Sequence, residues 1–447
     1  MKERERQFET AQETQLVRGE TLVRIEKPIY GGAFLARLEG KAIFVPLALP
    51  GEEVRVRISQ DKRGYSTAEV EEIVVTSPER IEPSCKHFGA CGGCNYQHTG
   101  YAQQLEFKRA ILRETLERGG VQAPDEIAVL AGEPWGYRNR IRLAFDAVGR
   151  MGYRGRRSHA VIPLEQCPIA APALVDAARA AEAILRSTSA QGLRPTEIAL
   201  FTDAEQSAML VSVFVRTAAK AQFETLMRAL SERVPAVKGA ELLVEFAPQG
   251  RKPVPMPRTV AQWGERSLMY SAAGFDYRVD HGAFFQVNRW LVDALVERVT
   301  SGAQGKLAWD LFAGVGLFAR RLVESVERVV AVESAPMATK ALAANLSGTC
   351  GTAVNQATAD FLRKARKGER PDLVVMDPPR MGLGAETTDA LGRLRASEMV
   401  YVSCDPATLA RDLKALAASG YAIEQVAMAD LFPQTFHLET VVRLRLA

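Results

Sequence analysis

Three stretches with different hydrophobic rhythm follow one another along the chain. Over residues about 14–75, apolar and polar positions alternate in short runs (TLVRIEK, AFLARLEG, KAIFVPL, EVRVRIS), broken by the turn signals Tyr30-Gly31-Gly32 and Leu49-Pro50-Gly51. Alternation of period two puts one face of each run on a core and the other in water, so these runs are strands. About five short strands within roughly 60 residues predict a small closed β-barrel of the oligonucleotide-binding type. Residues about 76–275 are mixed, with an amphipathic helical stretch over 101–119 (Leu105, Ile111, Leu112, Leu116) followed by β-like runs and helices, which predicts a central α+β domain. Residues about 276–447 alternate the two rhythms. A helical run, QVNRWLVDALVERVTSG, precedes the strand KLAWDLF; then come AGVGLFARRLVES, VVAVE, APMATKALAANL, DLVVMDPP, EMVYVSCDP, ATLARDLKALAASG and ETVVRLRLA. Strands alternating with helices predict a parallel, doubly wound sheet of Rossmann type.

Composition agrees with an α/β multidomain protein. A chain of 447 residues exceeds what one core usually serves, and 47% hydrophobic with 25% charged residues is ordinary globular usage. No apolar run of about 18 residues is present, so no membrane partner is expected. The polar start, MKERERQFETAQET, is the opposite of an export signal, which leads to the expectation of a cytoplasmic protein. No feature points to an obligate protein partner.

The net charge of +4 says less than where the charge sits. In YRNRIRLAF, residues 137–145, a strand would put Arg138, Arg140 and Arg142 on one face and Tyr137, Ile141, Leu143 and Phe145 on the other. Arg150, Arg154, Arg156 and Arg157 follow, and Asp146 is the only acid from 138 to 157. Such a block predicts a local positive field suited to a nucleic-acid backbone. The bland alternative is a solvated sheet face.

Of six cysteines, Cys85, Cys91 and Cys94 cluster, with Cys167 about seventy residues on; Cys350 and Cys404 stand apart. In a reducing compartment a disulfide framework is not expected. Four thiolates suit zinc or an iron–sulfur cluster, and spacing alone does not choose between them. Cys350 reads as a core residue, and His87 and His98 as ordinary.

Three motifs carry chemistry. DLFAGVG, residues 310–316, is a strand that ends in Gly-x-Gly opening a helix, where a cofactor can approach the backbone closely; Glu333 ends the next strand, placed to accept ribose hydroxyl protons. The same loop fits a nicotinamide dehydrogenase, but Asp310 and Asp377 favour a cofactor without pyrophosphate. DPPR, residues 377–380, gives a rigid lip at the carboxyl edge of the sheet, where open α/β sheets bind ligands. SCDP, residues 403–406, puts Cys404 where a strand leaves the same edge, as a candidate nucleophile; the bland reading of a cysteine in a strand is a small apolar filler. Carbon 5 of a uracil becomes nucleophilic only after addition at carbon 6, which a thiolate supplies; a base must then take the carbon-5 proton. Glu439, with His437 two residues before it, is a candidate for that base, although taken singly it reads as a surface carboxylate.

FFQVN (284–288), DLFAGVG, DPPR, SCDP and HLE (437–439) occur in this order. Over nearly its whole length the sequence resembles the bacterial RNA (uracil-5-)-methyltransferase family, especially members acting on 23S ribosomal RNA. The resemblance implies a TRAM-type RNA-binding barrel, a central domain with a four-cysteine cluster, and a Rossmann-like S-adenosylmethionine domain against which the helix near 100–120 packs. It implies Cys404 as nucleophile, Glu439 as base, Gln286, Phe312, Glu333, Asp360 and Asp377 as cofactor contacts, and Phe284 as the aromatic that meets the flipped base. It further implies a [4Fe–4S] cluster on Cys85, Cys91, Cys94 and Cys167, in preference to zinc. Leu317 and Asp360 stand where related members can carry polar amides. Rival readings are a tRNA uridine-5 methyltransferase, an exocyclic-amine RNA methyltransferase, which needs no thiol, and a non-catalytic RNA-binding factor.

Overall fold

The computed structural model describes residues 20–187, 192–247, 254–365 and 369–447; the polar N-terminal stretch and the first residues assigned above to the barrel lie outside them. The chain forms two compact units. The first comprises residues up to Gly89 together with Cys94–Ile111 and Gln434–Phe436; the second comprises Ala90–Gly93, Leu112–Pro433 and His437–Ala447. The helix Tyr101–Arg118 therefore begins in the first unit and ends in the second.

In the first unit the strands Glu20–Pro28, Ala33–Leu38, Lys41–Pro46, Glu53–Asp61 and Tyr65–Val75 close into the expected five-stranded barrel. The alternation does what period two requires. Val54 and Val56 are fully buried, while Arg55 and Arg57, which alternate with them, reach across to Glu72 and Glu71 at 2.9 and 2.8 Å. Phe34 sits at the centre of the core, with Tyr96, Phe107 and His98 edge-on around it. His98 is buried with Nε2 3.0 Å from the Ala48 carbonyl, and burial pushes it down to about 4, so it is a neutral core residue.

The second unit holds two large sheets. One has seven strands, in the order Arg258–Gly264, Val237–Val244, Met209–Val215, Pro195–Thr202, Arg140–Phe145, Met151–Arg154, Val161–Pro163, and the helices Pro172–Arg186 and Lys220–Arg233 pack on it through Leu174, Ala178, Phe223 and Leu226. A hairpin, Ser267–Ala272 with Phe275–Asp280, follows in the chain. The other sheet has eight strands. Five pair in parallel, in the order Gly351–Asn355, Val329–Glu333, Ala308–Leu311, Leu373–Met376, Glu398–Ser403; Glu439–Leu446 runs antiparallel between Glu398–Ser403 and Tyr421–Ala429, and Ala128–Leu130, parallel to Tyr421–Ala429, closes the sheet. The outward order of the parallel strands reverses beside Ala308–Leu311, which creates a crevice at their carboxyl ends. Both faces are covered. Ala341 and Leu342 of the helix Pro336–Asn345 pack with Val329 and Ala331, while Trp309 faces the other side, edge-on to Phe361 at 4.9 Å.

Two expectations need correction. Cys350 is exposed rather than in the core, with Sγ 3.4 Å from the Val326 carbonyl. The arginine block is not a bare positive field. Segments more than forty residues away bring carboxylates to it, Glu197 binding Arg142 and also Arg154 (3.0 Å) and Glu245 lying 3.8 Å from Arg142, while Asp146 within the block holds Arg150 at 2.7 Å.

Candidate active site

Strand register assembles the site. Ser403 pairs with Thr440 in the antiparallel ladder, so the next residue of one strand, Cys404, and the preceding residue of the other, Glu439, come face to face. The parallel ladders set Leu311 beside Met376 and Met376 beside Tyr401, so Phe312, Asp377 and Cys404 leave the sheet at one edge. Asp405 then caps the helix Pro406–Ala418, its Oδ1 accepting from the amides of Ala407 (3.1 Å) and Thr408 (2.9 Å), with Pro406 at the first helical position. The SCDP motif is thus a strand-to-helix turn in which three residues build the turn and Cys404 is left partly open.

The same helix fixes the DPPR lip. Thr408 donates to the Arg380 carbonyl (3.2 Å), Arg411 to that of Met381 (2.8 Å), and the buried Asp412 accepts from the Leu383 amide (2.7 Å) and the Tyr401 hydroxyl (2.9 Å). Arg380 Nη2 stands 3.3 Å from His437 Nδ1, and His437 packs edge-on to Phe432 at 5.4 Å. Asp412 carried no sequence signal, because its partners are contributed by separate loops.

Charges at this edge of the sheet are mostly acidic. Burial, then Glu439 and Asp377, push the Cys404 thiol up to about 12, and Arg380 is the cation that opposes them. Glu439, buried, is held well above the usual carboxylate range by burial and by Asp377, again opposed by Arg380. Burial pushes Asp377 up to about 7. Asp310 rises to about 8 through burial, with Asp377 and Glu333 adding to it.

Beside these acids lies a pocket walled by Phe284, Phe285, Gln286, Phe312, Gly314, Val315, Phe318 and Asp377. Its floor is the glycine loop. Phe312 is held at φ +63°, Gly314 at +56° and Gly316 at +92°, a run of left-handed conformations that turns the chain sharply from strand into helix. A Cβ on Gly316 would come within 2.6 Å of Leu342, whereas one on Gly314 would meet nothing within 4 Å. Glu333 accepts from the Gly314 amide (2.9 Å) and the Ala335 amide (2.7 Å), and Gln286 Nε2 reaches Asp377 Oδ2 at 3.5 Å. One oxygen of Asp310 accepts from the Ala319 amide at 2.9 Å; the other is buried without a partner. Buried acids, an open glycine backbone and an orphaned carboxylate oxygen fit a cationic, ribose-bearing ligand such as S-adenosylmethionine. Gln286, Phe312 and Asp377 line this pocket, Glu333 braces its loop, and Phe284 is 60% exposed at its rim. Asp360 pairs with Arg363 on the helix Thr358–Lys364 and is not among the lining residues.

The remaining sequence candidates lie elsewhere. Arg140 stacks over Phe201 (4.3 Å) and Arg142 over Phe214 (4.3 Å); Arg138 donates to the Arg140 carbonyl at 3.0 Å. Cys85 and Cys94 belong to the first unit and Cys91 and Cys167 to the second; all four are partly buried. Among the described residues, no group of three or more His, Cys, Asp or Glu side chains is gathered as a metal cage. No described helix is long and apolar enough to cross a membrane.

Comparison with known proteins matches residues 100–446 to the tRNA (Uracil-5-)-methyltransferase family and residues 15–70 to the TRAM domain. A protein of Halomonas elongata described as 23S rRNA (uracil(1939)-C(5))-methyltransferase RlmD is 32% identical over 434 residues, covering 93% of this chain and 87% of its own. An RNA methyltransferase of Thermotoga maritima is 31% identical, covering 94% and 98%. The crystal structure of Pyrococcus abyssi tRNA (uracil-54, C5)-methyltransferase with S-adenosyl-L-homocysteine superimposes with a TM-score of 0.75 at 25% identity, covering 94% of this chain and 99% of the other.

Proposed function

We propose that this chain, which belongs to the tRNA (uracil-5-)-methyltransferase family and carries a TRAM domain, forms 5-methyluridine in 23S ribosomal RNA with Cys404 as nucleophile and Glu439 as base. As a member of that family it is an S-adenosylmethionine-dependent RNA methyltransferase; the target and the roles of individual residues are our reading. The observation that carries it is the register that sets Cys404 and Glu439 opposite each other at the sheet edge that also bears Asp377 and the glycine loop. An exocyclic-amine methyltransferase has no use for a thiol there. A ribosomal target is favoured by the H. elongata relative and a tRNA target by the P. abyssi structure; the higher identity of the former inclines us to 23S rRNA.

The target uridine leaves its stack, at a cost of a few kcal/mol that single-stranded loops reduce, and meets Phe284 at the pocket rim. S-adenosylmethionine, when bound, supplies an electrophilic methyl group on a sulfonium. Gln286, Phe312, Glu333 and Asp377 hold the cofactor, with Asp360 a further proposed contact. The Cys404 thiol gives up its proton and the thiolate adds to carbon 6, which makes carbon 5 the nucleophile; carbon 5 would take the methyl group as the methyl–sulfonium bond breaks, its electron pair leaving on sulfur as the neutral sulfide. Glu439 then takes the carbon-5 proton, the double bond re-forms, and the carbon–sulfur bond breaks. Arg380 sits where it stabilises negative charge on the thiolate and on Glu439. The barrel holds RNA, with Arg138, Arg140 and Arg142 as proposed contacts; for Arg142 a phosphate would replace Glu197.

We also propose that Cys85, Cys91, Cys94 and Cys167 ligate a [4Fe–4S] cluster. An all-thiol donor set suits soft iron or zinc, and no step of the reaction is routed through it. Iron and acid-labile sulfide analysis of anaerobically purified protein distinguishes the two metals.

The decisive experiment uses unmodified 23S rRNA transcript containing 5-fluorouridine, incubated with enzyme and S-adenosylmethionine. Fluorine cannot leave as a cation, so elimination stalls and a complex stable to denaturation accumulates. Cys404→Ala abolishes it. Methylation by Cys404→Ala at the wild-type rate would refute the mechanism, and mapping the trapped nucleotide identifies the target.

A further inference from the structure

The loop that carries Phe284 and Gln286 continues to a second exposed ring, Trp290, which is 44% exposed. Single exposed aromatics are common and by themselves mean little. Trp290 differs in how firmly it is held. The Arg289 guanidinium lies over its ring at 3.7 Å, and that guanidinium is pinned by the carbonyls of Gly136 (2.8 Å) and Ala204 (2.6 Å). The indole Nε1 donates to the Trp135 carbonyl at 3.1 Å, and the backbone amide of Trp290 donates to Asn288 Oδ1 at 3.0 Å. The buried Asn288 is in turn fastened to the Leu431 carbonyl at 3.2 Å.

Placement adds a second argument. Ala429 pairs with both Glu439 and Leu130, so the segment following Leu130, with Trp135 and Gly136, leaves the sheet at the edge where Glu439 stands. Tyr137 accepts from the Arg289 amide (3.0 Å) and Val287 from that of Asn139 (2.9 Å), which lays the 287–290 segment along it. Trp290 is therefore an immobilised, half-open indole on the catalytic edge, backed by a cation and six residues beyond the exposed Phe284.

We infer that Trp290 is a stacking platform for an unpaired base of the RNA strand that carries the target uridine. A ring fixed in advance loses little side-chain freedom when a base stacks on it, and a guanidinium behind it adds attraction for both the π-face and the neighbouring phosphate. Held apart from its neighbour in this way, the target uridine is easier to extrude. The inference rests on the reading of the chain as an RNA methyltransferase, and the test separates the two.

Full-length protein is titrated with single-stranded rA12 at 0.1 M salt while tryptophan emission is followed, with Trp290→Phe as the blank for the other three tryptophans. Emission changes on binding in the wild type, and the change is absent from Trp290→Phe. Affinity for unmodified 23S rRNA transcript falls between about fivefold and a hundredfold in Trp290→Ala, the range one base stacked on an aromatic ring carries, and is largely kept in Trp290→Phe. A thermal shift with S-adenosylmethionine equal to wild type shows that Trp290→Ala is folded; should that shift be lost, the emission titration decides alone. Wild-type affinity in a folded Trp290→Ala, or emission indifferent to RNA, overturns the inference. If Cys404→Ala is inactive while Trp290→Ala binds normally, only the stacking role fails; if Cys404→Ala methylates normally, the proposed chemistry fails whatever Trp290 does.

Discussion

A thiol pushed up to about 12 is almost wholly protonated at neutral pH, so Cys404 as it stands is a poor nucleophile. Two groups next to it bear on this in opposite senses: Glu439 raises the thiol, and Arg380 lowers it. Replacing Arg380 by Ala removes the lowering charge, so the thiolate fraction drops, by about tenfold for the loss of one close opposite charge. Alkylation of Cys404 by iodoacetamide at pH 8.5, followed by peptide mass spectrometry, is expected to slow by that factor in Arg380→Ala. Glu439→Gln has the reverse sign and alkylates faster above the pH at which Glu439 itself ionises, although it turns over no RNA. Equal alkylation rates in wild type and Arg380→Ala would remove Arg380 from the mechanism.

One scale up, what positions Cys404 is the join between the strand Glu398–Ser403 and the helix Pro406–Ala418. Asp405 satisfies two of the first helical amides, so Asp405→Ala costs about 1 kcal/mol of stability and loosens the turn that aims the sulfur. A fall of a few degrees in Tm at most, with a disproportionately larger fall in kcat for RNA methylation, is the expected outcome of calorimetry and initial-rate measurements. Loss of kcat no greater than loss of stability would mean the turn is only structural. Much of this join was legible in the sequence, since a strand rhythm, a cysteine, an Asp cap and a Pro at the first helical position are all local signals. So were the five barrel strands and the glycine loop. Non-local pairings were not. Nothing near Arg142 in the chain announces that Glu197 and Glu245 will neutralise it, because they arrive on other strands of the sheet. Nothing near Asp412 announces that it will tie together the DPPR lip and Tyr401. The strand Tyr421–Ala429 went unread for a related reason, since its far edge is completed by Ala128–Leu130 from a distant part of the chain.

For the molecule as a whole, the buried acids in and beside the pocket make folding and ligand binding depend on pH in opposite directions. Asp310 at about 8 and Asp377 at about 7 lie far above their unfolded value near 4, and Glu439 is raised as well. Between the unfolded and the folded values, the native state binds more protons than the unfolded one, so these groups make unfolding easier as pH rises from about 4 to 8. A ligand that brings a positive sulfonium into the same pocket favours the ionised acids and lowers their folded values, which releases protons on binding. Binding that releases protons strengthens as pH rises. The thermal shift produced by a fixed excess of S-adenosylmethionine is therefore expected to be larger at pH 8 than at pH 6. S-adenosylhomocysteine, which has a neutral sulfide in place of the sulfonium, should show a much flatter dependence. Asp310→Asn should flatten the difference between the two ligands, since it removes the acid whose buried oxygen has no partner. If both ligands shift the protein equally at both pH values, the acids are held ionised by something other than the cofactor, and the charge argument for this pocket is wrong. If they differ as expected, the same acids that draw the cofactor in also weaken the hold on the demethylated product, because methyl transfer removes the positive charge that had offset their repulsion.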